Sequence, residues 1–181
     1  LALSHRGKMQ VFTTDNSPLP HNRISYMTST PDGALWVWTD KGVGRLHQGQ
    51  WQVFAREAID LPRDVNYRTM VAGADGALWV GTTDSGLVRL SLAPWQVYTK
   101  ENSGLPDNHV LSLAFSPDGA LWVGTSGGGL NRLDPETGRV LRFVHDPQNP
   151  VSLAHNSVAS LWEDQAGRLW VGTNELYQMA C

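Results

Sequence analysis

Short apolar runs separated by glycine-containing turns recur along this chain, and they predict β-strands. The run Leu-Trp-Val, followed by Gly or Trp and then Thr, occurs four times, and its tryptophans are Trp36, Trp79, Trp122 and Trp170. They are 43, 43 and 48 residues apart. A fixed period of this length is typical of repeat proteins, in which each repeat is one small supersecondary unit. Because the apolar runs are short and no segment has helical periodicity, the pattern indicates an all-β fold.

The third copy shows the repeat unit most clearly. Four strand-like runs cover 110–115, 121–125, 130–133 and 140–144. The turns between them contain Asp118-Gly119, Gly127-Gly128-Gly129 and Gly138. Glycine suits these turns because it adopts positive φ without steric cost. Four short antiparallel strands followed by a longer link are typical of a β-propeller blade.

The phase of the repeat predicts how the chain is divided. It places blades at 24–55, 67–99 and 110–145, a half-blade at 1–13, and a partial blade at 157–181 with a degenerate third strand from Leu176. The chain begins with Leu1 and its last repeat stops inside a strand, so we expect about four repeat units of a larger propeller. The alternative is a ring of four in which the two incomplete blades complete each other. Open sheet edges of a fragment predict self-association with another copy.

Composition narrows the class of protein. Apolar residues make up 41% and charged residues 17%, which suits a folded domain of 181 residues. The net charge is −3 and there is no basic run, so we expect no nucleic-acid partner. No apolar stretch approaches membrane-spanning length, so we expect no membrane contact by this segment. Cys181 is the only cysteine, which excludes an intrachain disulfide and a thiolate metal cluster.

Most of the conspicuous residues are explained by the scaffold. One tryptophan per repeat at a fixed strand position predicts packing between neighbouring sheets rather than a ligand platform. The arginines of the recurring Gly-x-x-Arg-Leu strand, Arg45, Arg89 and Arg132, are expected to pair locally rather than form an anion-binding ring. No pair of the six histidines has the spacing of a zincin metal site. The sequence therefore predicts no catalytic residue, no metal and no cofactor.

Topology selects the candidate ligand-binding residues. Links between blades and the turns between second and third strands emerge on the same face of a propeller, and functional residues tend to lie on loops held by a rigid scaffold. A ligand on this face, near the axis, would meet residues of both kinds: Asn22, Arg23, Asp84, Asn108, His109 and Asn156. For the three asparagines, the alternative role is hydrogen bonding to the backbone of the links.

Two long stretches carry a family resemblance. The first runs from Asn102-Ser103-Gly104-Leu105-Pro106 through Leu121-Trp122-Val123-Gly124-Thr125 to Asp134, and the second runs from Phe143 to Thr173. Both resemble the two-component regulator propeller repeat, and the resemblance covers nearly the whole chain. Trp38 departs from it by replacing the usual glycine after Leu-Trp-Val, and Asn174-Glu175-Leu176 replaces a Gly-Leu turn.

The resemblance implies the extracytoplasmic sensor region of bacterial hybrid histidine kinases or diguanylate cyclases, with no catalytic output domain in this chain. It implies a periplasmic, ligand-sensing and non-catalytic propeller segment that takes part in signal transduction. The ligand would be a small molecule, and carbohydrate breakdown products are one class that the family suggests. Two alternatives remain open: a propeller enzyme resembling virginiamycin B lyase, for which His109 is the best placed candidate, and a protein–protein interaction platform.

Overall fold

A computed structural model describes residues 1–5, 7–55, 67–91, 95–164 and 166–174. The described residues contain sixteen β-strands and no helix. In chain order they are β1 (Ala2–His5), β2 (Lys8–Val11), β3 (Ile24–Ser29), β4 (Leu35–Thr39), β5 (Gly42–His47), β6 (Gln50–Ala55), β7 (Tyr67–Ala72), β8 (Leu78–Thr82), β9 (Leu87–Leu90), β10 (Gln96–Tyr98), β11 (Val110–Phe115), β12 (Leu121–Thr125), β13 (Leu130–Leu133), β14 (Val140–Phe143), β15 (Val158–Glu163) and β16 (Leu169–Thr173).

Each strand pairs with its neighbour in sequence, and every pairing is antiparallel. Three sheets have four strands, β3–β6, β7–β10 and β11–β14, and two hairpins, β1–β2 and β15–β16, form two-stranded sheets of their own. The predicted all-β fold of four-stranded antiparallel blades is confirmed. The predicted degenerate third strand from Leu176 lies outside the described residues.

The sheets fall into two compact units. The first holds β1–β2 and β3–β6 together with Ala74–Gly76, and the second holds β7–β10, β11–β14 and β15–β16. In the first unit, Trp36, Val37 and Val43 are almost fully buried, and the Trp36 ring stacks on Phe54 with centroids 5.8 Å apart. Leu19, from the link that enters β3, is also buried in this unit.

The core of the second unit lies between two sheets. Trp79 and Leu87 of the β7–β10 sheet belong to one buried cluster with Leu121, Val123 and Leu133 of the β11–β14 sheet. This follows from the strand period of two, because residues of one parity along a strand share a face of the sheet. The tryptophan of one blade is thus covered by the aliphatic face of the next, as its fixed place in the repeat predicts.

The strands that begin four of the sheets, β3, β7, β11 and β15, each contain a β-bulge. The register between the first and second strands shifts between Ile24 and Tyr26, and at the matching positions of β7, β11 and β15. A bulge inserts one extra residue, bends the strand and increases its twist. The sequence pattern did not predict this bulge, because the alternation of apolar and polar positions stays recognisable despite the extra residue.

Two of the predicted turns require glycine for different reasons. Gly119 has φ of 85° in the turn between β11 and β12, with open space around its Cα, so only its backbone conformation favours glycine. Gly129 has φ of 79°, and a β-carbon there would also collide with the carbonyl oxygen of Phe143. The strand β14 therefore lies too close to this turn for any side chain.

Candidate functional site: the links between blades

The three predicted asparagines hold the links by the same hydrogen bond. Asn22 Oδ1 accepts from Thr14 N at 2.9 Å, Asn108 Oδ1 from Lys100 N at 2.8 Å, and Asn156 Oδ1 from His145 N at 2.7 Å. In each case the donor lies where the chain leaves one sheet and the asparagine lies just before it enters the next. The amide thus ties the two ends of the link together, and its oxygen is committed to the backbone.

Further side chains make the link that ends at Asn108 rigid. Asn102 Oδ1 accepts from Thr99 N at 2.8 Å, and its Nδ2 donates to Val97 O at 2.9 Å. Ser103 Oγ donates to Thr99 O at 2.6 Å, and Leu105 is inserted into the core. The link that ends at Asn22 repeats this network through Thr13, Asn16 and Ser17. Such a network fixes the loop before any ligand arrives, which lowers the entropy cost of binding.

A second recurring side chain sits one residue before each asparagine. Asp107 Oδ1 accepts from His109 N at 2.9 Å, and His21 Nδ1 and His155 Nδ1 accept from the backbone N–H two residues on, at 3.2 and 3.0 Å. These three residues occupy the same position of the repeat in the sequence. The residue types could have indicated this role, because an aspartate oxygen and the acceptor nitrogen of histidine can both accept a hydrogen bond from the backbone N–H two residues later.

Hydrogen bonds place the links beside the turns between second and third strands. In the second unit, Gly86 N donates to Asn108 O at 3.0 Å and Ser126 N donates to His109 O at 3.0 Å. Asp107 Oδ2 also accepts from Gly127 N at 2.9 Å. Residues 107–109 are therefore clamped between the β8–β9 turn and the β12–β13 turn, on the shared face that topology predicts. We call this arrangement, residues 84–86, 107–109 and 126–127, the link junction.

The predicted site residues differ in how their polar atoms are used. At the link junction, Asn108 also donates from Nδ2 to Glu101 Oε2 at 3.2 Å, and this hydrogen bond is the main cause that lowers the pKa of Glu101. The imidazole of His109 is partly buried and makes no hydrogen bond or ion pair to another described residue. Asp84 is exposed on the β8–β9 turn and accepts from the Thr83 hydroxyl at 2.9 Å.

The remaining predicted residues lie elsewhere. Asn156 belongs to the next link of the second unit, where its carbonyl oxygen accepts from Gly129 N at 2.9 Å. Arg23 and Asn22 belong to the first unit, where Arg23 Nη1 lies 3.5 Å from Asp40 Oδ2. His21 Nδ1 lies 4.0 Å from the same carboxylate oxygen. Asp84, Asn108 and His109 are thus the three predicted residues that belong to the link junction.

The recurring arginines serve the scaffold. The guanidinium carbons of Arg45, Arg89 and Arg132 each lie 5.8 Å from the centroid of a tryptophan ring in the same sheet. Arg45 also pairs with Asp32 at 2.5 Å, and Arg132 pairs with Asp118. The predicted local pairing is confirmed for these two arginines, which are therefore not available to form an anion-binding ring.

The turn aspartate of the first blade is strongly held in its ionised form. A hydrogen bond from the Thr30 hydroxyl, the backbone N–H of Ala34 and the Arg45 guanidinium lower the pKa of Asp32 to about 2. Asp118 is held in the same way in the third blade, with the Ala120 N–H as the main cause of its lowered pKa. Both aspartates are therefore structural turn residues.

The link junction offers hydrogen-bonding chemistry. Among the described residues, no group of three or more His, Cys, Asp or Glu side chains is arranged to hold a metal ion. Within the same residues, no helix is long and apolar enough to cross a membrane. An uncommitted imidazole and a carboxylate on a rigid loop face can donate to and accept from a polar ligand.

The described residues form sheets of four antiparallel strands, and the link 99–109 leads from the last strand of one such sheet to the first strand of the next. This arrangement is that of β-propeller blades. Residues 104–127 and 152–175 match the two-component regulator propeller family. The chain therefore carries repeats of that family, and the resemblance read from the sequence is confirmed. No curated protein matches the chain.

Solved structures give the same class. The extracellular domain of a putative hybrid two-component system from B. thetaiotaomicron is 26% identical, over 92% of this chain and 22% of that chain, with a TM-score of 0.63. A second such domain from the same organism is 24% identical, over 94% and 22%, with a TM-score of 0.62. This chain thus spans about a fifth of the length of these two domains.

A third likeness concerns the fold alone. Virginiamycin B lyase from Staphylococcus aureus is 16% identical, over 93% of this chain and 54% of that chain, with a TM-score of 0.64. At this identity the two proteins share the propeller architecture, and the likeness says nothing about their chemistry.

Proposed function

We propose that this chain is a non-catalytic, ligand-sensing propeller segment of a bacterial two-component-type signalling receptor. Its place would be outside the cytoplasm, with the periplasm as the compartment. The observation that carries the proposal is the 26% identity to the extracellular domain of a putative hybrid two-component system, over 92% of this chain. The two matched repeats of the regulator propeller family support it independently.

The ligand would bind at the link junction. The asparagine there is used to hold the link, so contact with the ligand falls to His109 and Asp84. The imidazole can donate or accept a hydrogen bond, and the carboxylate accepts. This pairing suits a neutral molecule rich in hydroxyl groups, and carbohydrate fragments are the class that we propose.

The position of the junction suggests how binding would be transmitted. The 107–109 segment is hydrogen-bonded both to the β8–β9 turn of one sheet and to the β12–β13 turn of the next. A ligand that contacts His109 and Asp84 together would bridge these two sheets. If the ligand binds one packing of the two sheets more tightly than another, it shifts the population towards that packing. A receptor could pass this shift to an output domain.

Isothermal titration calorimetry of the chain with a panel of oligosaccharides tests the proposal. We expect at least one member of the panel to bind. His109→Ala and Asp84→Ala should each weaken the affinity for that ligand about tenfold, which corresponds to the loss of roughly one hydrogen bond. His47→Ala is the matched control, because the His47 Nε2 is bonded to Asp32 O at a turn between first and second strands. Its affinity should equal that of the parent chain.

Three results would count against the proposal. Absence of binding by every panel member would remove the support for carbohydrate sensing. Chemical turnover of a bound ligand, abolished by His109→Ala, would replace sensing by lyase-type catalysis. Stoichiometric capture of a protein by the link junction, without small-molecule binding, would favour an interaction platform.

A further inference from the structure

One position of the repeat carries chemically different side chains in two of the links. It is Asp107 in the link before β11 and His21 in the link before β3. In both places the side chain lies beside two other groups. One is the backbone N–H two residues later, and the other is in the turn between the second and third strands of the same sheet.

Asp107 bonds to both of these groups at once. Its Oδ1 accepts from His109 N at 2.9 Å, and its Oδ2 accepts from Gly127 N in the β12–β13 turn at 2.9 Å. An ionised carboxylate has two acceptor oxygens, so one hydrogen bond does not exclude the other. The link before β11 is therefore joined to its turn without any change of protonation.

His21 presents a single atom to both groups. Its Nδ1 accepts from Arg23 N at 3.2 Å, and the same Nδ1 lies 4.0 Å from Asp40 Oδ2 in the β4–β5 turn. A ring nitrogen accepts a hydrogen bond when it carries no proton and donates when it carries one. To accept from Arg23 N, the ring must be neutral with its proton on Nε2. In that form Nδ1 has no proton to donate to Asp40.

Protonation of the ring exchanges these two partners. A proton on Nδ1 makes this atom a donor, which cannot bond to the N–H of Arg23 but can bond to the carboxylate of Asp40. The two atoms must approach each other by about 1 Å to form this hydrogen bond. A charge-assisted hydrogen bond is stronger than the neutral one that is lost. Histidine is the side chain whose charge ordinarily changes between about pH 8 and pH 5.

The charged groups beside His21 permit this exchange. They lie on two elements: Asp40 is on the β4–β5 turn, and Arg23 is on the link itself, with its Nη1 3.5 Å from Asp40 Oδ2. The Arg23 side chain is 78% exposed, so water and salt screen its repulsion of a protonated His21. An ionised carboxylate has enough lone pairs to accept from both cations.

We propose that His21 is a proton-operated clamp between the link 13–23 and the β4–β5 turn. Neutral His21 caps the N–H of Arg23, and protonated His21 binds Asp40 instead. The clamp is open near pH 8 and closes as the pH falls towards about 5. The links of the first blade therefore respond to acid, and this response does not depend on a ligand at the link junction.

NMR spectroscopy of the isotope-labelled chain tests the exchange of partners. At about pH 8, the His21 Nδ1 resonance should be that of an unprotonated ring nitrogen, and it should show a scalar coupling to the Arg23 amide nitrogen across the hydrogen bond. At about pH 5, Nδ1 should carry a proton and this coupling should be lost. The nuclear Overhauser effect between the His21 ring and the Asp40 β-protons should become stronger in acid, because the two side chains approach each other.

Two controls separate the clamp from a general effect of acid. His145 is the control within the same chain, because its Nδ1 lies 2.6 Å from Leu153 O. A carbonyl oxygen only accepts, so this ring donates from Nδ1 whether it is neutral or charged, and its contact should persist at both pH values. His21→Asn is the second control. The asparagine oxygen can cap the N–H of Arg23 but takes up no proton, so the Arg23 amide shift should not change with pH.

Loss of the coupling in acid together with a closer contact to Asp40, both absent in His21→Asn, supports the proposal. A His21 ring that carries its proton on Nδ1 at about pH 8 would overturn it. A coupling to Arg23 that survives in acid, or a contact with Asp40 that does not strengthen, would also overturn it. An acid shift of the Arg23 amide that is as large in His21→Asn as in the parent chain would show that another group is responsible.

Discussion

Substitution of Gly124 by alanine tests whether neighbouring blades pack as the structure shows. Gly124 lies in β12 opposite Ser112, and β15 of the next hairpin passes over it. A β-carbon on Gly124 would lie 2.7 Å from both Val158 Cγ1 and Val158 O, and it would overlap the Ser112 hydroxyl. The hydroxyl that must move is the one that donates to Val158 O at 3.0 Å across the two sheets.

The expected cost follows from three effects. Forcing one methyl group into a filled space costs about 1–3 kcal/mol. Loss of the buried hydrogen bond between Ser112 and Val158 costs about 1 kcal/mol. Replacing glycine reduces the conformational entropy of the unfolded chain, which offsets about 0.4–1 kcal/mol of this destabilisation. The net destabilisation is about 2–3 kcal/mol, which lowers the melting temperature of a chain of this size by roughly 5–10 °C.

Thermal unfolding followed by tryptophan fluorescence measures the shift. Gly127→Ala is the matched control, because a β-carbon there meets nothing closer than Asp107 Oδ2 at 3.6 Å. The control should stay within about 0.5 kcal/mol of the parent chain, as surface substitutions usually do. Equal melting temperatures for the two variants would refute the packing of β15 on β12.

Three further predictions use the same unfolding measurement. Asn108→Ala should lower the free energy of unfolding by about 1 kcal/mol, because the link loses its hydrogen bond to the backbone. No change would mean that the asparagine does not hold the link. Arg45→Ala should lower the melting temperature more than Arg132→Ala, because the Arg45 side chain is 8% and the Arg132 side chain 28% exposed; the reverse order would contradict the local pairing. For Asp32, whose pKa falls from 3.8 to about 2 on folding, the stabilisation is complete above pH 4 and is lost as the pH falls towards 2. Asp32→Asn should remove this part of the acid dependence, and identical acid profiles would show that the carboxylate is not held.

The blades could be predicted from the sequence because their determinants are local. A turn glycine such as Gly119 and the apolar alternation around Trp122 are visible within a few residues of the chain. The reason for Gly124 is different. Glycine is required at position 124 because Val158, which lies in another sheet, leaves no room for a β-carbon. The repeat showed that glycine recurs at this position but did not show why.

The candidate site could be placed but not interpreted. The sequence put Asn108 and His109 side by side in a link, and both are polar residues at a position that could serve a ligand. The structure separates their roles, because the Asn108 amide accepts from Lys100 N at the start of the link, while the His109 imidazole bonds to no other residue that the structure describes. That distinction depends on how the link folds back on itself, which no local pattern records.

The most direct test of the proposed sensing role is to record the histidine ring resonances of the chain while an oligosaccharide panel is titrated. The His109 signal, assigned by its loss in His109→Gln, should shift with saturation for a ligand that binds at the link junction. The His47 signal should stay unchanged, because that ring is bonded to a turn between first and second strands. A saturable shift of His47 without any change at His109, or no shift at His109 with any member of the panel, would contradict the account.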